Sequence, residues 1–530
     1  MAKNITNLYL LNVPLENDYL HTLYFGSKDQ QYSYFYGKRV KSVGSGEFSY
    51  QRKDSIIRYF ADYDDLVGCN YVMYQNSAYS SKWYYAFITK MEFKNDQVTE
   101  IHIETDVIQT WLFDYAVRAS FVEREHTIDD TIGANTVPEQ LELGEYITNK
   151  AISNKSLTMC NIVMATTVDI NTSDFKNVAG SRYNGIFSGV RYYYLTPEKA
   201  TSVIQALANA GKSDAINCLF LAPDMYVDTV VDGTGMYPMV ESTKDGTSMV
   251  KKQNWVATLE DTPINKPTAL NGYTPYNKKL LTYPYCFLRM DNNSGGSAIY
   301  HYEMFANPNN NNLCDFTIYS AIAPGMSIRI VPKYYGGVND NVENNAEGLN
   351  LGKYPICSWN TDVYTNWLTQ NSVNIGLSLG SSLIGVGSSM YTGDASGAFG
   401  GLGGIASTVA EVYQHSLMPP QAEGNLNSGD VTFSSGHLTF TAYQQSIKQE
   451  YARIIDEYFM MFGYKVNRVK VPNKDHRTRH WYTKTIDCNI DGAIPMEDLR
   501  KIKDCYNKGI TFWRPNYIGT YSLANNITTT

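Results

Sequence analysis

The sequence predicts a mainly β protein with some helix, of the α+β class, and three observations carry that prediction. Tyrosine is in excess, 43 of 530 residues beside 20 Phe and 7 Trp. It favours strands and contact surfaces, because its ring is buried while its hydroxyl stays wet. Short runs of aromatic and β-branched residues are bounded by Gly, Asn, Ser and Asp, the punctuation of strands joined by turns. Helical signals are few, with one candidate near residue 200, one near 450 and one starting at about Pro495.

Taken in chain order, Leu8 to His126 reads as β, with strand-like runs at Tyr32–Tyr36, Asn70–Tyr74, Trp83–Phe93 and Val98–Thr105. In the last of these Ile101 and Ile103 alternate with His102 and Glu104, the period of a half-buried strand. Asp106 to Trp111 reads as a turn or the start of a short helix. From 127 to 275 the composition turns polar and turn-rich, as expected of an inserted domain. One helix is predicted there: Pro197-Glu198 opens it, Ala200 to Ala210 supplies good helix formers and Gly211 ends it. Strand signals return from Leu281 to Lys333, broken by the Asn-rich turn Asn307–Asn312. A helix is predicted over Tyr443–Phe462, closed by Gly463, and His480 to Ile486 reads as a strand. The expected division is 1–126, 127–275, 276–362, 363–430 and 431–530, within a length that suits about three domains' worth of chain.

The segment Val363 to Ala410 stands apart, because its only charged residue is Asp394. Glycine and serine are interleaved with Ile375, Leu377, Leu379, Leu383, Ile384, Val386, Met390, Phe399, Leu402 and Ile405. A water-exposed loop of this length should be polar, and a buried helix should not carry so many Gly at about 1 kcal/mol each. Small residues with scattered aliphatics suit a segment that packs against copies of itself or enters lipid. Those ten apolar side chains are therefore the candidate membrane-active set.

Charge and chemistry narrow the function. The net charge is -8 and the pI about 5.6, so no dominant basic face is available to hold nucleic acid by neutralising phosphates. The most basic stretch, Lys465 to Arg479, is local. Eight Cys occur without a CxxC pair or zinc spacing, and they read as free thiols of cytosolic assembly. The N-terminus has no signal-peptide pattern and no stretch reaches about 18 consecutive apolar residues. His476 and His480 have i, i+4 spacing but no Glu follows His476, so a solvated basic turn is favoured over a metal site. Asp487-Cys488-Asn489-Ile490-Asp491-Gly492, with Asp498 beyond, copies part of a calcium loop, but reads better as a turn before the helix at Pro495. Asp62-Tyr63-Asp64-Asp65 offers no second positioned carboxylate, and no nucleophile elbow or Walker loop occurs. The expectation is no enzyme, no metal and no cofactor. Trp83, Tyr84 and Tyr85 raise a second reading, a wall- or receptor-binding module.

Separated blocks carry a family resemblance. They are Asn12-Val13-Pro14 with Asn17-Asp18-Tyr19, the aromatic run Tyr32–Tyr36, Tyr71-Val72-Met73-Tyr74-Gln75-Asn76, and Lys82-Trp83-Tyr84-Tyr85-Ala86-Phe87. Asp106-Val107-Ile108-Gln109-Thr110-Trp111 runs on to Ser120-Phe121-Val122-Glu123-Arg124-Glu125-His126. Tyr283-Pro284-Tyr285-Cys286, the run Phe462 to Lys470 and Gly509-Ile510-Thr511-Phe512-Trp513 complete the set. In this order and spacing the chain resembles the tail-knob, or distal tail tube, proteins of small Picovirinae-type podoviruses. The resemblance covers about the first 130 and last 90 residues. It implies a homo-hexameric ring of β-barrel-like tube domains at the distal end of the virion tail, assembled in the host cytoplasm. Its implied partners are collar and proximal tail proteins, appendages, genomic DNA passing through the lumen, and the host cytoplasmic membrane. The family's long hydrophobic loop, which plugs the tube and forms a membrane pore, would correspond to the uncharged segment by place and composition.

Overall fold

The computed structural model describes residues 6–353, apart from short stretches within them, together with 356–358 and 439–521. The chain divides into two compact units. The first comprises Met1–Gly144, Gly272–Leu280 and Lys448–Thr530, and the second Glu145–Asn271 and Leu281–Ile447. The fold is mainly β, as the sequence predicts.

The first unit contains strands β1 (Thr6–Leu11), β2 (Thr22–Leu23), β3 (Arg39–Val43), β4 (Phe48–Gln51) and β5 (Ile56–Tyr59). They are followed by β6 (Tyr71–Asn76), β7 (Trp83–Asn95), β8 (Val98–Thr105), β9 (Tyr115–Val117) and β10 (Ser120–Glu125). After the excursion into the second unit come β11 (Tyr464–Lys470), β12 (His480–Ile486), β13 (Ile490–Gly492) and β14 (Ile510–Trp513). Its helices are α1 (Lys28–Gly37), α2 (Val107–Trp111), α3 (Gln449–Phe462) and α4 (Met496–Lys508).

A seven-stranded antiparallel sheet has the order β3-β1-β6-β7-β8-β5-β4. Its two edges, β3 and β4, are consecutive in the chain with only residues 44–47 between them. Laid flat, seven strands at ~4.8 Å spacing would hold those edges about 29 Å apart. Five residue steps of extended chain reach only about 18 Å. The sheet must therefore curl into a half-barrel. Val43 from one edge and Phe48 from the other indeed pack on one cluster with Leu8, Ile57, Val72 and Ile101. The opposite face holds Tyr71, Met73, Tyr85 and Phe87 beneath Phe35 of α1 and Trp513 of β14.

Local chemistry explains the elements. In β8, Ile101 and Ile103 are buried while His102 and Glu104 are partly exposed, as the alternation predicts. Asp106 caps α2, so Asp106–Trp111 resolves as a short helix. Tyr32–Tyr36 is corrected from strand to helix. Ser27 caps α1 by accepting from the Gln30 N–H, and Gln31 and Phe35, four apart, form its buried face. The helix expected over Tyr443–Phe462 is also shorter: Thr441–Ile447 is a strand paired on both sides, and α3 begins at Gln449. Gly463 ends α3 at φ 65°, where a Cβ would meet the Glu125 carbonyl. A smaller sheet of order β2-β14-β12-β10-β11 completes the unit, and β13 pairs with β9.

In the second unit a seven-stranded sheet includes Cys160–Thr166 between Arg191–Leu195 and Ile216–Pro223. The interior strand Cys160–Thr166 is buried on both faces (Ile162, Val163, Met164 and Ala165), which removes the alternation that would have shown it in the sequence. The helix Pro197–Asn209 forms as predicted, with Ala200, Ile204 and Leu207 on its buried side and Gly211 beyond at φ 67°. A four-stranded antiparallel sheet has Tyr146–Ser153 and Ser297–Tyr300 at its edges, with Thr441–Ile447 and Cys286–Asp291 between them. In the Asn307–Asn312 turn the Asn307 side-chain oxygen accepts from the N–H groups of Asn309 and Asn310.

Candidate functional site

The separated sequence blocks of the first unit come together around two buried polar centres. In the first, Asp106 is fully buried at the start of α2. Its carboxylate accepts from the Gln109 N–H at 3.0 Å and the Tyr71 hydroxyl at 2.8 Å. Burial raises its pKa to about 6 against those bonds. The Gln109 amide donates to Leu23 O at 2.7 Å and Thr22 Oγ1 at 3.1 Å, and accepts from Gln31 at 3.0 Å. The Thr110 hydroxyl serves both backbone groups of Tyr85. Trp111 donates its indole N–H to Asp498 at 2.9 Å, and the Lys82 ammonium lies 3.4 Å from its ring centroid. Each polar residue of the Asp106–Trp111 block thus fastens a different element.

The second centre joins β10, β11, β12, α3 and the segment 272–280. Glu125 accepts from Lys470 at 2.6 Å and from the Asn473 backbone at 2.8 Å. His126 accepts at Nδ1 from the Tyr482 N–H at 2.7 Å, and donates from Nε2 to the Met460 carbonyl at 2.9 Å. His480 donates to that same carbonyl at 3.0 Å and stacks on Trp513. Burial depresses both imidazoles, His126 well below its ordinary value and His480 to about 4. Glu139 pairs with Arg124 and with Lys279 at 2.6 Å, and accepts from the Lys465 N–H at 2.9 Å. Asp456 accepts from the Tyr273 hydroxyl and the N–H groups of Tyr276 and Asn277, all within 3.0 Å, and from the Asn277 amide at 2.7 Å. The chain passes between the two units four times. On the first unit's side all the flanking segments are tied into this centre, which sequence reading did not find.

The candidate membrane-active residues, Ile375, Leu377, Leu379, Leu383, Ile384, Val386, Met390, Phe399, Leu402 and Ile405, lie outside the described residues. No helix among the described residues is long and apolar enough to cross a membrane. His476 and His480 do not share a helix, since His480 opens β12 and its Nε2 is engaged by Met460. In the calcium-like stretch Asp491 pairs with Arg118 and Asp498 is held by Trp111, and where a turn is expected Ile490–Gly492 is instead a short strand paired with β9. Tyr85 is buried, Trp83 packs against Tyr9 and Tyr32, and Tyr84 stacks on Tyr74, so these rings form no open row. Glu92, Glu100 and His102 lie close enough together to offer three ligand atoms within 4.8 Å. Their carboxylates are already engaged: Lys90 and Lys94 hold Glu92 down to about 2, and Lys94 and Arg58 hold Glu100 low. Cross-strand alternation on β7 and β8 was the signal that could have found this group.

A family profile described as the C-terminal domain of the tail knob protein gp9 of Bacillus phage phi29 matches residues 251–526, more than half of the chain. The chain belongs to this family of phage tail knob proteins. A second profile, the caudoviral major tail protein N-terminus, matches residues 5–116. The tail knob proteins gp9 of Bacillus phages phi29 and PZA are each 26% identical to it, over 98% of both chains. The alignments therefore include the 127–275 region, where no sequence block carried the resemblance. The bacteriophage C1 tail knob protein gp12 shares the fold, with a TM-score of 0.66 at 14% identity over 99% of this chain and all of that one. This tail knob protein is a structural component of the virion tail. The two polar centres are its scaffold.

Proposed function

We propose that six copies form a hollow distal knob through which genomic DNA leaves the virion. In this reading the segment 363–430 plugs the lumen and then enters the host cytoplasmic membrane, and collar, proximal tail and appendage proteins are the neighbours. Family membership carries the tail role, and the uncharged Gly-rich run with its ten apolar side chains carries the membrane step. Burying each Leu or Ile side chain is worth roughly 1.5–3 kcal/mol, so the run favours leaving water. A net charge of -8 suits a wall past which a polyanion slides without sticking. The four-stranded sheet of the second unit supports assembly. Its edge strand Tyr146–Ser153 is largely exposed along its length, and an even number of antiparallel strands lets one copy's edge continue the alternation into the next. The packed state of Trp83, Tyr84 and Tyr85 speaks against a wall- or receptor-binding module.

Dye release from liposomes tests the membrane step. The intact protein is expected to release dye, and a deletion of residues 373–410 that still assembles is expected to lose most of that release. Equal leakage from both proteins would refute the assignment.

A further inference from the structure

The residues that follow β14, from Arg514 to Tyr521, include the turn formers Pro515, Asn516 and Gly519. They fold back on themselves. Tyr517 donates its N–H to the Arg514 carbonyl and Thr520 to the Tyr517 carbonyl, both at 2.9 Å, and Gly519 takes φ 71°. The turn returns Tyr521 to the strand that the chain has just left. Its ring meets Trp513 edge to face at 5.0 Å and His480 at 5.6 Å. Its hydroxyl lies 3.1 Å from Nε2 of His21, the residue before β2. Beneath Tyr521, His480 is stacked on Trp513 at 4.4 Å, and both are fully buried.

The pair and its cover are attached with different strength. Trp513 is paired within the sheet and packs in the core with Phe35 and Tyr71. The segment over it is fastened at its start, where Arg514 binds the Arg479 and Arg477 carbonyls and Asp475. Beyond that point Ile518 is half-buried, while Tyr517 and residues 519–521 are exposed, Tyr521 to 46%. So little buried apolar surface lets a segment open locally at low cost. His480 supplies a reason to open. Its ring meets the Met460 carbonyl of α3 and the His126 ring beyond β10. Burial, followed by Arg477, Arg479 and His21, holds its pKa at about 4. Of the nearby carboxylates, Asp18 acts on Tyr521, and Asp475 is paired with Arg514. An imidazolium here must reach water, and among its neighbours Tyr521 moves at least cost.

We propose that residues 514–521 form an acid-released strap, which seals the His480–Trp513 pair at neutral pH and lifts before the sheet beneath it unfolds. The lifted state binds the His480 proton more tightly, so its population rises as pH falls below about 6.5. Hydrogen exchange of the full chain at pH 7 and pH 5, read by mass spectrometry and corrected for the intrinsic rate, tests this. Protection of the Tyr517 and Thr520 amides should fall about tenfold or more, while that of β12 holds. His480→Gln should abolish the fall. His21→Gln should keep it, which separates a proton on His480 from the loss of the bond to Tyr521. Tyr521→Ala, a change at an exposed position, should leave circular dichroism unchanged and strip the protection at both pH values. No fall, a fall shared equally by β12, a fall that survives His480→Gln or is lost in His21→Gln, or wild-type protection in Tyr521→Ala overturns the strap.

Discussion

Asp456→Ala is expected to destabilise the first unit by about 4 kcal/mol, since it strips one buried acceptor from several donors at once. Asp456 sits on the inner side of α3, fully buried, and its two oxygens serve the Tyr273 hydroxyl, two backbone N–H groups and the Asn277 amide. Water cannot replace the carboxylate without opening the packing of α3 against Asn277, itself buried. The segment 272–280 has no long regular element of its own, so it is held by these bonds together with those of Lys279 to Glu139 and Val137. Thermal unfolding should fall by roughly 10 °C at about 2–4 °C per kcal/mol, and proteolysis should begin within 272–280. Asp456→Asn should cost less, because one oxygen remains an acceptor. A melting curve for Asp456→Ala that overlays the wild type would show that the segment is held by other means.

Acid should loosen the same corner through His126 and His480. Both folded pKa values lie below the ordinary 6.5, so the unfolded chain binds more protons and stability falls as pH drops below about 6.5. The geometry gives the cause. A proton on His126 Nδ1 would face the Tyr482 N–H it now accepts from, and Arg477, Arg124 and His480 surround it. For His480 the facing cations are Arg477, Arg479 and His21. By pH 4.5 each imidazole should cost about 2–3 kcal/mol, at 1.36 kcal/mol per pH unit. Asp106 acts in the opposite sense. Its raised pKa means that the folded state takes up protons between about 6 and its ordinary range, which offsets part of the loss. The decisive quantity is therefore the difference between wild type and a His126→Gln, His480→Gln double variant. Denaturant unfolding at pH 7 and pH 4.5 should show the wild type losing several kcal/mol more than the variant. Parallel pH profiles would contradict the assignment.

Local pattern made much of this fold legible. The Ile101/Ile103 alternation, the Asp106 cap and the Pro197 to Gly211 helix each follow from a short window of sequence. Tyr32–Tyr36 misleads because its composition is that of a strand, while Ser27 and the Gln31–Phe35 spacing set a helix. Thr441–Ile447 runs without a turn signal into α3, so only its pairing on both sides separates strand from helix. The buried centres were illegible for a different reason. Glu139 meets the Lys465 backbone and Asp456 meets Asn277 across 326 and 179 residues of chain, and no periodicity reports such a pairing. The family, by contrast, was legible in blocks that fasten these centres, such as Asp106–Trp111 and Glu125-His126. The polar residues of those blocks are the ones that bridge elements.

Native mass spectrometry of the full-length protein tests the central claim most directly. A tail knob ring should appear as a discrete species of six copies of the 59.7 kDa chain, which separates into monomers only under activation. A monomer or dimer at every concentration, or a ladder of open polymers without a six-copy species, would contradict it.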